Sequence, residues 1–373
     1  RQFSNRMKHI DDCVNLTIGQ PDFPMPDVVK EAYISAIRED KTSYSHNKGL
    51  SETRQAISNY FKNKYGFEYS EEEIIITNGA SEALDTSLRS IIEPGDEILI
   101  PGPVYAGYIP LIETLGGIPI YMDTTQLEFK VTPELINKHI TEKTKAILLN
   151  YPTNPTGVIL ERSEVKAIVD TLVDKNLFII SDEIYAENTF KGAHTSFAEF
   201  EEIRDQLLLI GGLSKSHSAT GIRIGFLIGP EYLIEKLTFM HAYNCICANV
   251  PAQIACIAAL NEGLEAPQYM NDAYIKRRDY LKNKLESLGF ELTAQPEGAF
   301  YIFPSIKKFT ENDFDFCVDV LEQAHVAMVP GSSFTDMGKG YIRISYAYEM
   351  DMLKEGMRRL ENYLNQNYPD KMK

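Results

Sequence analysis

Cysteine is scarce in this sequence and shows no pairing pattern: five residues in 373, at positions 13, 245, 247, 256 and 317. An odd count without framework spacing excludes a disulfide scaffold and points to reduced thiols in a cytoplasmic protein. Cys245-Ile-Cys247 could open a metal site, but no second Cys/His cluster has ligand spacing, so no metal is expected. No run of 18 apolar residues occurs, which excludes a membrane-spanning helix. The opening stretch RQFSNRMKHIDD is polar and lacks the apolar core of a secretory signal. Positive charge is in the minority, with 37 Lys and Arg against 53 Asp and Glu, a net charge of −16. A chain this acidic repels polyphosphate backbones and anionic membranes, so neither nucleic acid nor a membrane is expected as a partner. A small anion held in a local basic pocket remains compatible with it.

Several phosphate and nucleophile motifs are missing too. A P-loop needs a glycine directly before its Lys-Ser pair, and Ser214 stands before Lys215. A penicillin-type S-x-x-K needs a serine at 212, which is Gly212. No G-x-G-x-x-G opens the first strand–helix unit, and no His/Glu metal motif appears. Internal repeats and low-complexity linkers are also absent.

What is present is a chain long enough for two domains, with an ordinary 44% hydrophobic content. Strand-like apolar runs alternate with helical patterns: EIIIT (73–77) before SEALDTSLRSII, then EILIPG, KAILLN (145–150), NLFIISDEIY (176–185), LLLIGG and IRIGFLIG. This alternation predicts a mostly parallel sheet with helices on both faces. Near residue 265 the pattern changes. A long amphipathic helix, EAPQYMNDAYIKRRDYLKNKLESLG, leads to short strands AFYIF (299–303) and YIRISYA (341–347) and a closing helix from about Asp351, which reads as a smaller α+β domain.

Ligands of open α/β sheets bind beyond the carboxyl ends of the strands. Asn78, Asn154, Asp182 and Lys215 fall at such ends, and the stretch GGLSKSHSATGIRIG (211–225) aims Lys215 at that shared edge. A lysine of lowered pKa forms Schiff bases with carbonyls, and pyridoxal phosphate needs such a lysine together with an acid for its pyridine nitrogen.

From about Asn15 to the last helix, the order and spacing of these motifs resemble the fold-type I, class I and II pyridoxal-phosphate aminotransferases. GLSK puts Lys215 at the family's Schiff-base position, and TGIRIG puts Arg223 at its phosphate arginine. NYPTNPTG places Asn154, and SDEIY places Tyr185, where the family meets the cofactor's phenolic oxygen; Asp182 matches the partner of the pyridine nitrogen. NGASEAL opens a helix whose N–H groups at Ala80 and Ser81 would cradle phosphate. PGPVYAGY sets Tyr105 on the ring face. YSHNKGL matches a tyrosine reaching the neighbouring subunit's phosphate, Tyr44. LTIGQPDF and RISYA carry Gly19 and Arg343 for the substrate carboxylate, alongside Asn154. One departure is Gly212, where many relatives have a phosphate-binding serine; Ser214 or water would substitute.

The resemblance implies a cytoplasmic homodimer. It implies a segment 1–40 joined to a small domain 266–373, and a large cofactor domain 41–265 around a mostly parallel seven-stranded sheet. The implied activity is transfer of an amino group between an L-amino acid and a 2-oxo acid such as 2-oxoglutarate, with Lys215, Asp182 and Tyr185 as catalytic residues. Within the family, TIGQPDF, NGASEAL, GLSKSHSATGIRIGF and GAFYIFPSI look most like the Bacillus-type aminotransferase A group, which includes N-acetyl-diaminopimelate aminotransferases. An aromatic or broad amino-acid donor, and a cystathionine-type carbon–sulfur β-lyase of the same fold, are the alternative readings. A transcriptional regulator is disfavoured, because Gly19 comes too early for a preceding DNA-binding segment.

Overall fold

The computed structural model describes residues 10–372; the polar opening stretch of residues 1–9 lies outside them. Seven strands form the central sheet, in the spatial order Ile74–Thr77, Gly225–Ile228, Leu207–Gly212, Phe178–Asp182, Thr144–Asn150, Glu97–Gly102, Ile118–Asp123. Six run in one direction, and only Gly225–Ile228 is antiparallel to both neighbours. Alternate side chains enter two different cores, as the two-residue period of a strand requires. Leu207 and Leu209 join a core with Ile147, Leu149 and Ile179, while Leu208 and Ile210 join one with Ala146, Leu148 and Ile180.

The sequence reading named six of these strands. The seventh, Ile118–Asp123, is an edge strand with Pro119 in it and Ile118 exposed, so it lacks the continuous apolar run that marked the others. The strand expected in IRIGFLIG is shorter than its apolar run. It begins only at Gly225, because Arg223 turns through a left-handed conformation with φ 55°.

A third core gathers around a three-stranded antiparallel sheet of Val329–Pro330, Ile342–Ser345 and Tyr301–Ile302. The AFYIF run is cut to two strand residues, with Ala299 at φ 55°. Helices Ala266–Ser287 and Met350–Asn367 cover this core. Between them lies helix Asp313–Ala324, absent from the sequence reading; Asn312 caps it by accepting from the Asp315 N–H. The N-terminal strand Val14–Asn15 pairs in parallel with Val326–Ala327, whereas helix Asp27–Arg38 packs on helix Val250–Asn261.

Candidate active site

One edge of the large sheet collects the chemistry. Asp182 ends its strand beside Asn150 and Ile210, and Gly212 ends the next strand opposite Gly225. Because Gly225–Ile228 runs antiparallel, its first residue sits where its neighbours end, at Thr77 and Gly212. Arg223, just before that strand, is thereby delivered to the same edge as Lys215, just after the other.

A cavity of about 440 Å³ opens there. Gly19, Ala80, Ser81, Tyr105, Asn154, Asp182, Tyr185, Ser214, Lys215, Arg223 and Arg343 all line it. Tyr44 does not; it is 78% exposed on the surface. Asn78 is also outside the cavity, its side chain accepting from the Asn249 N–H.

Lys215 lies in the short helix Leu213–Ser216 and donates from Nζ to the Gly19 carbonyl at 2.6 Å. Burial, and then the positive charges of Arg343 and Arg223, pull its ammonium down to about 8. That makes a neutral, nucleophilic amine accessible near neutral pH. Asp182 is buried, and burial raises its carboxyl above the ordinary value. Opposing this, Tyr108 donates to Oδ2 at 2.6 Å and the Ile184 N–H to Oδ1 at 3.2 Å.

Arg343 is buried, stacked 4.4 Å over the Tyr301 ring and 4.9 Å from that of Phe334. Its Nη1 donates to Asn154 Oδ1 at 2.8 Å and its Nη2 to the Thr17 carbonyl. Its buried Nε has no hydrogen-bond partner. Asn154 is itself placed by Asn150, whose Oδ1 accepts from the Asn154 N–H and whose amide donates to the Asp182 carbonyl. Tyr185 and Tyr301 share a 2.7 Å hydrogen bond between their hydroxyls. A Cβ at Gly19 would stand 2.2 Å from the Tyr301 hydroxyl, so any other residue there must displace that buried ring.

At the opposite end of the cavity, helix Ala80–Ile91 presents its N-terminus, with Gly79 at φ 83° supplying no side-chain cap. The first N–H groups are therefore open to an anion. Arg223 packs against Gly79, where a Cβ would overlap its guanidinium, and donates to the carbonyls of Thr220 and Asn78. Gly212 also has a local reason: a Cβ there would stand 2.9 Å from the Ile224 carbonyl oxygen. A serine has no room at this position without a backbone shift.

Among the lining residues that escaped the sequence reading, Tyr108, Asn150 and Tyr301 bond directly to the expected ones. Tyr108 follows Tyr105 by three residues at the start of helix Tyr108–Thr114, and that spacing was its one available signal. Asn150 was legible only as the last residue of a strand, and Tyr301 only as one aromatic among several.

The donor set fits pyridoxal phosphate. It offers an amine for the aldehyde, a buried carboxylate for the pyridine nitrogen, hydroxyl and amide groups for the phenolic oxygen, and open N–H groups with Arg223 for the phosphate.

Comparison with known proteins agrees. The family model "Aminotransferase class I and II" matches residues 11–360. A probable N-acetyl-LL-diaminopimelate aminotransferase of Bacillus subtilis is 48% identical over 98% of this chain and 92% of its own. Aromatic-amino-acid aminotransferase 2 of Thermococcus litoralis is 34% identical over 98% and 95%. Among solved structures, the aromatic aminotransferase of Pyrococcus horikoshii superposes with a TM-score of 0.92 at 34% identity, covering 98% of this chain and 99% of that one. The aspartate aminotransferase of Thermotoga maritima superposes with a TM-score of 0.91 at 33% identity, covering 98% and 95%. The chain belongs to the class I and II aminotransferases.

Proposed function

We propose that this aminotransferase moves the amino group of N-acetyl-L,L-diaminopimelate to 2-oxoglutarate, with pyridoxal phosphate held in the cavity around Lys215. The substrate reading rests on one observation above others: the B. subtilis relative bearing that name is 48% identical over nearly the whole chain, against 34% for the aromatic relative.

Lys215, Asp182, Asn154, Tyr185, Tyr105, Ser214, Arg223 and the N–H groups of Ala80 and Ser81 would hold the cofactor. Bound there, it supplies an electron sink for the bonds at the substrate's Cα. With the cofactor bound, the neutral Lys215 Nζ would take the proton from the substrate's Cα as base and then deliver it as acid to the carbon beyond the substrate nitrogen. Arg343 grips the α-carboxylate with its planar fork, and its contacts with Asn154, Thr17 and two rings fix that fork before substrate arrives. The Gly19 backbone closes the other side of the carboxylate site. The second substrate returns by the reverse path, which makes the kinetics ping-pong.

The chain is further read as a cytoplasmic homodimer. The exposed Tyr44 would complete the phosphate site of a partner subunit, and five free cysteines suit a reducing compartment. Among the described residues no helix is long and apolar enough to cross a membrane.

Tyr105, Tyr108 and Tyr301 in the lining favour a second reading, an aromatic or broad donor. Comparing kcat/KM for N-acetyl-L,L-diaminopimelate and phenylalanine decides between them. A preference of about tenfold or more for phenylalanine, about 1.4 kcal/mol in the transition state, rejects the diaminopimelate reading. Pyruvate released from cystathionine without a 2-oxo acid would instead identify a β-lyase.

A further inference from the structure

Cys245 and Cys247 looked like half a metal site lacking its other half. The fold supplies other donors. His241 lies one turn before Cys245 on helix Glu231–Cys245, and both meet Glu82 from the first turn of helix Ala80–Ile91. We propose that Glu82, His241 and Cys245 form a binding site for a divalent cation of the zinc class, separate from the catalytic cavity, which none of the three lines.

The donor atoms already stand at ligand spacing. Glu82 Oε1 is 2.9 Å from His241 Nδ1 and 2.9 Å from Cys245 Sγ, and Sγ is 3.6 Å from Nδ1. Zinc–sulfur bonds of about 2.3 Å and zinc–nitrogen or zinc–oxygen bonds of about 2.0–2.1 Å give tetrahedral edges of roughly 3.3–3.6 Å. One edge matches, and the other two need to open by only about half an ångström.

The set is also preorganised. His241 is wholly buried and the Glu82 side chain is 9% exposed. The second oxygen of Glu82 accepts from the Asn78 N–H, which orients the carboxylate from behind. On binding, the Cys245 thiol proton leaves to solvent, the imidazole proton moves from Nδ1 to Nε2, and thiolate and carboxylate together balance the 2+ charge. Burial then costs no net charge. A nitrogen, a sulfur and an oxygen donor suit zinc better than magnesium or calcium, which take oxygen alone. A water would fill the fourth position.

The test uses the untagged, cofactor-loaded enzyme, titrated with zinc alone against a chromophoric chelator. Its readout is independent of transamination, so its failure leaves the functional reading standing. One saturable zinc per chain is expected, with X-ray absorption showing one sulfur at about 2.3 Å and the remaining ligands nitrogen or oxygen. Cys245→Ser keeps a hydroxyl donor for Glu82, and His241→Gln keeps an amide. Each should weaken zinc binding by more than the roughly 10–100-fold typical of losing an outer-shell partner. No saturable binding, a sulfur-free zinc spectrum, or undiminished affinity in Cys245→Ser overturns the proposal, the triad then being a hydrogen-bond network alone.

Discussion

Tyr108 donates its hydroxyl to Asp182 across 2.6 Å in the lining of the Lys215 cavity, with the tyrosine 2% and the aspartate 7% exposed. A buried carboxylate is costly to keep ionised, and this bond together with the Ile184 N–H offsets part of that cost. Tyr108→Phe removes one charged hydrogen bond, about 1.5–3 kcal/mol, without changing the packing outline. The variant should retain cofactor while kcat falls roughly tenfold or more, each factor of ten being about 1.4 kcal/mol. Single-turnover rates with glutamate check this, and an unchanged kcat would sink it.

The lowered pKa of Lys215 has a consequence for stability in the cofactor-free chain. A buried base titrating at about 8 is uncharged in the fold while still charged in the unfolded chain between about pH 8 and pH 10.5. The unfolded state then binds more protons, so stability rises with pH across that window. Below it the amine is charged in both states, and the burial cost is present in full. Lys215→Met should therefore stabilise the cofactor-free chain by about 2 kcal/mol at pH 7, allowing for partial exposure, with the gain fading between about pH 8 and pH 10.5 and absent above that window. Denaturant melts of both chains at several pH values measure it; a gain independent of pH would contradict the assignment.

On the proposed reading, Arg343 serves binding and Asp182 serves chemistry. Arg343→Lys replaces a planar fork by a point charge and loses the contacts with Asn154 and Thr17. It should raise KM for the amino acid by roughly 10–100-fold, the worth of one charged hydrogen bond, with cofactor content intact. Asp182→Asn should instead lower kcat at nearly unchanged KM. The same defect in both variants would refute this division.

Gly225 lets two backbones touch. A Cβ there would lie 2.6 Å from the Gly79 carbonyl carbon and 2.7 Å from the Ala80 nitrogen, so the anion-facing helix end must retreat in Gly225→Ala. A loss of about 1–3 kcal/mol in stability and weaker cofactor retention are expected. Gly221→Ala, with nothing within 4 Å of its added Cβ, serves as the control. Equal melting points and equal cofactor affinity for the two variants would count against the close approach.

The residues that announced the site were those whose type is dictated by chemistry at a fixed place on a strand end. Lys215, Asp182, Asn154 and Arg223 carry their meaning in local text, because the strand before or after each one is itself a run of buried apolar residues. The short strands in AFYIF and YIRISYA were visible too, from their β-branched and aromatic runs beside a helical pattern. Tyr108 and Tyr301 were not visible in this way. Nothing in their neighbourhoods distinguishes a tyrosine that holds Asp182, or one that lies under Arg343, from a tyrosine that fills a core. The edge strand Ile118–Asp123 was hidden for a related reason, being half exposed and so without the apolar signature of its neighbours.

Six of the seven strands of the central sheet, the long helices Ala266–Ser287 and Met350–Asn367 and the local motifs were written in the chain, because these depend on side-chain period and on groups within a few residues of one another. The tertiary structure alone decided that Arg223 meets the cavity through an antiparallel strand, that Gly19 closes on Tyr301, and that Glu82 meets His241 and Cys245. Those meetings join residues up to hundreds of positions apart. They follow from how sheet and helices pack in space, and no local period in the chain encodes that distance.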